Sequence, residues 1–276
     1  AQRSGAAEIT RPAAHPQDRP HRWCRRMSAT VPVEGMTWDL GALREDVMAA
    51  FGPDQRRLVA QSIQSVSDRR RFSAYHYQEA MRIIAAKVDG RPGDELLPIM
   101  MGVDDNDTGS FEDARFIAYA NIVACMHSMR SVADNLVHLV YYATGMNRDA
   151  ATCIKKEQYI TWETVRKNLI PAAVKAELDA LHEHADFKYL RALDNHCKHR
   201  SIVDIGYAIS ITDDTHGMRI KAFTHDGIDH AHQWVRPFLK SEYQRQEAVI
   251  LRAGNHLNGY VAQCRKDSQR ASTAND

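Results

Sequence analysis

The stretch Phe111-Glu-Asp-Ala-Arg-Phe-Ile-Ala-Tyr-Ala-Asn-Ile-Val-Ala-Cys-Met-His-Ser-Met-Arg-Ser-Val-Ala-Asp-Asn-Leu-Val-His-Leu-Val-Tyr-Tyr-Ala-Thr144 decides the fold. Ile122, Met126, Met129, Ala133, Leu136 and Val140 recur at intervals of three and four, the spacing of one helical face, and Gly145 supplies a stop. So long an apolar stripe must be covered by other helices, and the chain reads as a bundle around this element. A second line, His127, Arg130, Asp134, His138 and Tyr141, repeats at the same intervals and forms a polar face. Asp134 and His138 either pair on a solvated surface or look into a cleft against charged residues from elsewhere in the chain.

Upstream, Trp38, Leu40, Leu43, Val47 and Phe51 predict a helix over about 38–51 that ends at Gly52-Pro53. Pro53 to Lys87 keeps the helical spacing, as two helices or one bent at Asp68-Arg-Arg-Arg71. Asp89 to Ser110 reads as loop. Within it Asp104, Asn106 and Gly109 copy part of a calcium loop, but Arg115 stands where the bidentate Glu belongs, so Ser110 with Asp113 reads instead as an N-cap.

Downstream, Trp162–Leu169, Pro171–Asp186 and Phe187–Arg200 are helical by pattern, with Pro171 suited to a first turn. The period then changes. Ile202 to Ile211 and Met218 to Thr224 alternate around Asp213-Asp-Thr-His-Gly217, which predicts a β-hairpin over 202–224 before a final helix of about 236–264. The fold class is therefore mainly α, a helical bundle with a β-hairpin inserted before the C-terminal helix. Residues 1–26, rich in Arg, Pro and His, read as a disordered leader or non-native extension, with a transit peptide as the alternative, and residues 27–266 as a single domain followed by a disordered tail over 267–276.

Composition narrows the function. With 36 Lys and Arg against 35 Asp and Glu, the net charge of +1 gives no global pull toward nucleic acid or an anionic membrane, so such contact must be local. No apolar run is long enough for a membrane span, and the five scattered cysteines form no CxxC pair, which is the pattern of reduced thiols in a cytoplasmic protein.

The chemistry concentrates in Arg191-Ala-Leu-Asp-Asn-His-Cys-Lys-His-Arg200. Arg, Lys and His hold phosphates and move protons without a cofactor. On a helix Arg191, Asn195 and Lys198 share one polar edge with His199 close behind, whereas His196 lies roughly 140° from Arg191. The same charges also suit the negative end of a helix dipole, and Asn195 or His199 suits a cap. Two metal alternatives are weaker. His182 and His184 at i, i+2 point to opposite sides of a helix and read as exposed, and His225, Asp229, His230 and His232 fall in a loop whose irregular backbone would have to gather them.

A long central helix, a later helix with Arg191-x4-His196, and the string Asn195-His-Cys-Lys198-His199-Arg200 together resemble the HEPN superfamily of nucleotide-binding and RNA-cleaving helical domains. The resemblance covers roughly residues 111–200. It implies metal-independent endoribonuclease activity or RNA binding, no cofactor, and a homodimer. Carried over by position, it implies Arg191 as the phosphate-stabilising residue and His196 as the acid/base. The spacing of the chain's own polar residues adds His199 as a second catalytic candidate, and Asn195, Lys198, Arg200, Arg130, Asp134 and His138 as candidate substrate contacts. The position after the motif Arg, usually polar, is Ala192. The rival expectation is a non-catalytic helical interaction or ligand-binding protein.

Overall fold

The computed structural model describes residues 36–91, 93–103, 105–210 and 215–273, apart from the side chains of 93, 94, 105–107 and 272. The expectations for residues 1–26, for Asp104 and for residues 211–214 and 274–276 lie outside the described residues. Contacts group Thr37–Asp276 into one unit.

Eight α-helices run in the order α1 (Leu40–Phe51), α2 (Pro53–Val88), α3 (Gly93–Met100), α4 (Asp105–Ala143), α5 (Trp162–Asn168), α6 (Ala172–Glu183), α7 (Ala185–His199) and α8 (Val235–Thr273) among the described residues. The apolar stripe of α4 is the core: Ile122, Met126, Met129, Ala133, Leu136 and Val140 are all at most 1% exposed. Burying such side chains contributes about 1.5–3 kcal/mol each, which sets α4 as the axis on which other helices pack.

Helix α2 covers much of that axis in antiparallel sense. Gln55 donates to Asn147 Oδ1 (2.7 Å) beyond the C-terminus of α4, His76 meets Asn121 (2.9 Å) near the middle, and Lys87 reaches Ser110 at the other end. Of the two alternatives for residues 53–87 the single helix forms, and α2 runs through residues 68–71. No Gly or Pro interrupts residues 54–88, Gln64 donates to Asp68 (2.9 Å), and Arg70 turns onto α8, 3.2 Å from Glu247 and over the Tyr243 ring.

Three stretches differ from expectation. Acidic, amide-rich sequence suits the N-terminus of a helix anywhere along it, and α4 starts at Asp105, which leaves Ser110 in its second turn rather than at its cap. The segment read as loop contains α3, whose Leu96 and Ile99 are buried. At the other end α8 continues to Thr273, through the stretch expected to be tail.

The inserted β structure is a pair of hairpins. Strand β1 (Ile205–Ser210) pairs antiparallel with β2 (Thr215–Ile220), Ile205 opposite Ile220, and Ile205, Tyr207, Met218 and Ile220 turn inward. Residues 223 and 224, expected to end the first hairpin, and residues 225–230, expected to form an irregular loop, instead form β3 (Phe223–His225) and β4 (Ile228–His230), joined through Asp226 and Gly227, both at positive φ (49° and 77°), as a tight hairpin turn requires. Strand β5 (Gln233–Trp234) then pairs with β2 and leads into α8. Among the described residues no helix is long and apolar enough to cross a membrane.

Helix α8 closes the bundle on α1. Trp38 Nε1 donates to Asn258 Oδ1 (3.0 Å), Arg265 pairs with Asp46 (2.9 Å), and the Trp38 ring lies so close over Gly254 that a Cβ there would stand 2.2 Å from it. Gly254→Ala must therefore push the indole out of its seat. Thermal or urea unfolding is expected to show a loss of about 1–3 kcal/mol, with the Trp38 fluorescence shifted toward that of exposed indole.

Candidate functional site

Helix α7 is anchored by Phe187, Leu190 and Leu193, all fully buried, and begins at His184, whose Nδ1 accepts from the Asp186 amide (3.2 Å). Those anchors fix the direction of every other side chain on the helix. Asp194, one residue beyond Leu193, is carried inward to 1% exposure. A carboxylate there needs donors, and it has two: His127 Nδ1 of α4 bonds Oδ1, and Lys198 Nζ bonds Oδ2 at 2.6 Å. Burial alone pushes the Asp194 carboxyl up, but the bonds from His127 and Lys198 outweigh it and hold the group below its ordinary value. Sequence reading missed Asp194 and left His127 as one member of a polar stripe; the signal was the i, i+4 spacing of Asp194 and Lys198.

The expected polar edge of α7 is present. Arg191 and Asn195 are half-buried, and Lys198 and His199 are exposed. Arg191 Nη1 lies 3.9 Å from Glu163 Oε1 of α5, with both side chains more than a third exposed, so the pair is weak. His199 makes no hydrogen bond or ion pair among the described residues.

His196 stands on another side of α7. Its Nε2 meets Ser201 Oγ at 3.2 Å, and its ring contacts those of Phe223 and His225 at centroid distances of 5.6 and 5.9 Å. Arg200 is directed to the same hairpin and lies 3.4 Å from Asp226. Arg191 and His196 thus belong to different surroundings: one faces α5, the other β3. Of the α4 residues, Arg130 pairs with Asp134 (2.6 Å) and lies over the Phe187 ring, while His138 lines a separate groove with Ser62, Ser65, Asn135, Tyr142 and Glu157. Burial holds the His138 imidazole below its usual value against the opposing pull of Asp134 and Glu157.

The metal alternatives fare differently from expectation. Strand pairing, not a loop, places residues 225–230; His230 stacks on Phe223 at 4.7 Å, and His232 is exposed. His182 is buried, not exposed, because α6 turns it under Trp162, on which it stacks at 5.6 Å. Among the described residues the ligand atoms of His184, Asp186 and Glu242 lie within 4.8 Å of one another, but Glu242 already accepts from Arg245 (2.8 and 2.7 Å) and Gln246 (2.7 Å).

Buried His182 has a consequence for stability. Both ring nitrogens are buried without a partner, and burial, with repulsion from Arg130 and Arg191, lowers its pKa to about 4. An unfolded chain takes up this proton near pH 6.5, so the stabilisation is complete above that value and is lost as pH falls toward 4. Urea unfolding is expected to show this term, on the order of 3 kcal/mol, between pH 7 and pH 4. In His182→Leu that part of the acid sensitivity should vanish. Comparison of the chain with protein-family models, with curated proteins and with solved structures gives no match, so the site rests on its own chemistry.

Proposed function

We propose that the chain binds RNA along the polar edge of α7 and cleaves it without a metal ion. The observation that supports this reading is the edge itself: Arg191, Asn195, Lys198 and His199 reach solvent along about 12 Å of one helix, a span fit for a sugar–phosphate backbone. Arg191 is the exchangeable cation of the set. Its contact with Glu163 is long and solvated, worth about 0–1 kcal/mol, and a phosphate can displace it. Lys198 stays beside Asp194 and adds a fixed positive charge. Two copies related by a two-fold axis would double the positive potential where RNA lies, which agrees with a near-neutral chain acting through a local patch.

In this reaction a ribose 2′-oxygen attacks the adjacent phosphorus, and Arg191 and Lys198 offset the charge that grows on the phosphoryl oxygens. A second reading, a helical protein that holds a partner or ligand without chemistry, is favoured by the placement of His196 against β3, away from Arg191. Labelled single-stranded RNA in excess EDTA separates the two. The wild type is expected to cut, and Arg191→Ala to cut about 100-fold more slowly, the usual cost of one donor to a developing oxyanion. Retained RNA binding with no cleavage by the wild type would establish the second reading instead.

A further inference from the structure

We infer that His127, held by buried Asp194, is the group that takes the proton in this reaction; the inference rests on the RNA-cleaving reading above. The two residues come from α4 and α7, far apart in sequence, and meet where the α7 edge passes over α4. Asp194 lies between Arg191 and Lys198 in the order of α7, so the imidazole docked on it meets the stretch of helix that carries the two cations assigned to phosphate.

The geometry fixes the state of the ring. Asp194 is an ionised acceptor with Lys198 on one oxygen, so the His127 nitrogen facing the other oxygen, Nδ1, must carry the hydrogen. In the neutral ring Nε2 then keeps its lone pair. His127 is 32% exposed through its side chain, and Nε2 is not among the buried unpartnered atoms, so that lone pair opens to solvent. A buried carboxylate, an imidazole with a fixed tautomer and an open Nε2 form the arrangement that general-base catalysis requires. Among the described residues His182, His196 and His199 do not combine these features. His182 is sealed under Trp162, His196 has its Nδ1 buried without a partner, and His199 has no group to orient it.

His127 Nε2 takes the 2′-hydroxyl proton as the 2′-oxygen bonds to phosphorus and the bond from phosphorus to the 5′-oxygen breaks. The 5′-oxygen takes a proton from water, and the resulting hydroxide is neutralised by the imidazolium. The products are a 2′,3′-cyclic phosphate and a 5′-hydroxyl. Asp194 touches neither substrate nor reacting atoms and is a positioning residue.

The test measures cleavage of single-stranded RNA in excess EDTA by the wild type, His127→Ala, Asp194→Asn and Arg191→Ala, with RNA affinity and a thermal melt for each. His127→Ala leaves Asp194 paired with Lys198 and is expected to fold, to bind RNA with unchanged affinity, and to cut at least about 100-fold more slowly. Added imidazole should restore part of that rate, which loss of a merely structural group would not permit. Asp194→Asn is expected to lower kcat with KM kept. Cleavage by His127→Ala at the wild-type rate, with Arg191→Ala slow, overturns the role of His127 and leaves the nuclease standing. An inert wild type overturns both.

Discussion

A carboxylate buried to 1% exposure and clasped on both oxygens holds the centre of this molecule's chemistry in place. Asp194 cannot remain charged inside the bundle unless donors surround it, and its donors come from α4 and from its own helix. Leaving such a buried carboxylate with no donor at all costs about 3–5 kcal/mol, far more than any exposed ion pair on the surface of the bundle contributes. The bond between Asp194 and His127 therefore fits only the rotation of α7 on α4 that the buried Phe187, Leu190 and Leu193 also set. That rotation decides which side chains of the cluster face outward.

Once the rotation is set, the ten-residue cluster divides into three environments. Leu193 faces the core, Arg191 turns to Glu163 on α5, and His196 with Arg200 turns to the β3–β4 hairpin. A helix presents a new direction every residue, so a dense string of cations and imidazoles cannot act as one site from a single helix. Its members must be completed by neighbours. On the core side of the polar edge the neighbour is His127, and on the hairpin side it is a wall of aromatic rings formed by Phe223, His225 and His230.

The apolar periodicity of residues 122–140 was enough to place the core, because a stripe at helical spacing has one physical use in a bundle. The β1–β2 hairpin was legible for the same reason, with inward residues alternating about a turn. What escaped the sequence depends on tertiary contact. Spacing left open whether residues 53–87 form one helix or two, and the contacts of Arg70 with Glu247 and Tyr243 on α8 lie outside any local pattern; the second hairpin hides in a stretch with only three residues per strand. His182 looked exposed because neighbouring charges suggested a solvated face, yet its position on α6 turns it beneath Trp162. The edge formed by Arg191, Asn195, Lys198 and His199 could be drawn from spacing alone. The partner of Asp194 could not, since 67 residues separate it from His127.

Burial and reactivity are set against each other at this point of the fold. An imidazole as deep as His182 contributes packing but stays uncharged and out of reach, and one as exposed as His199 has no fixed orientation. His127 lies between these limits, since its Nδ1 is tied to a buried anion while its ring remains a third exposed. The same contact that anchors α7 thus orders an imidazole at the surface without sealing it. A residue that serves the fold through one nitrogen and meets solvent through the other is available for proton transfer at little further cost in stability, because the entropy of fixing its ring is already offset by the bond to Asp194.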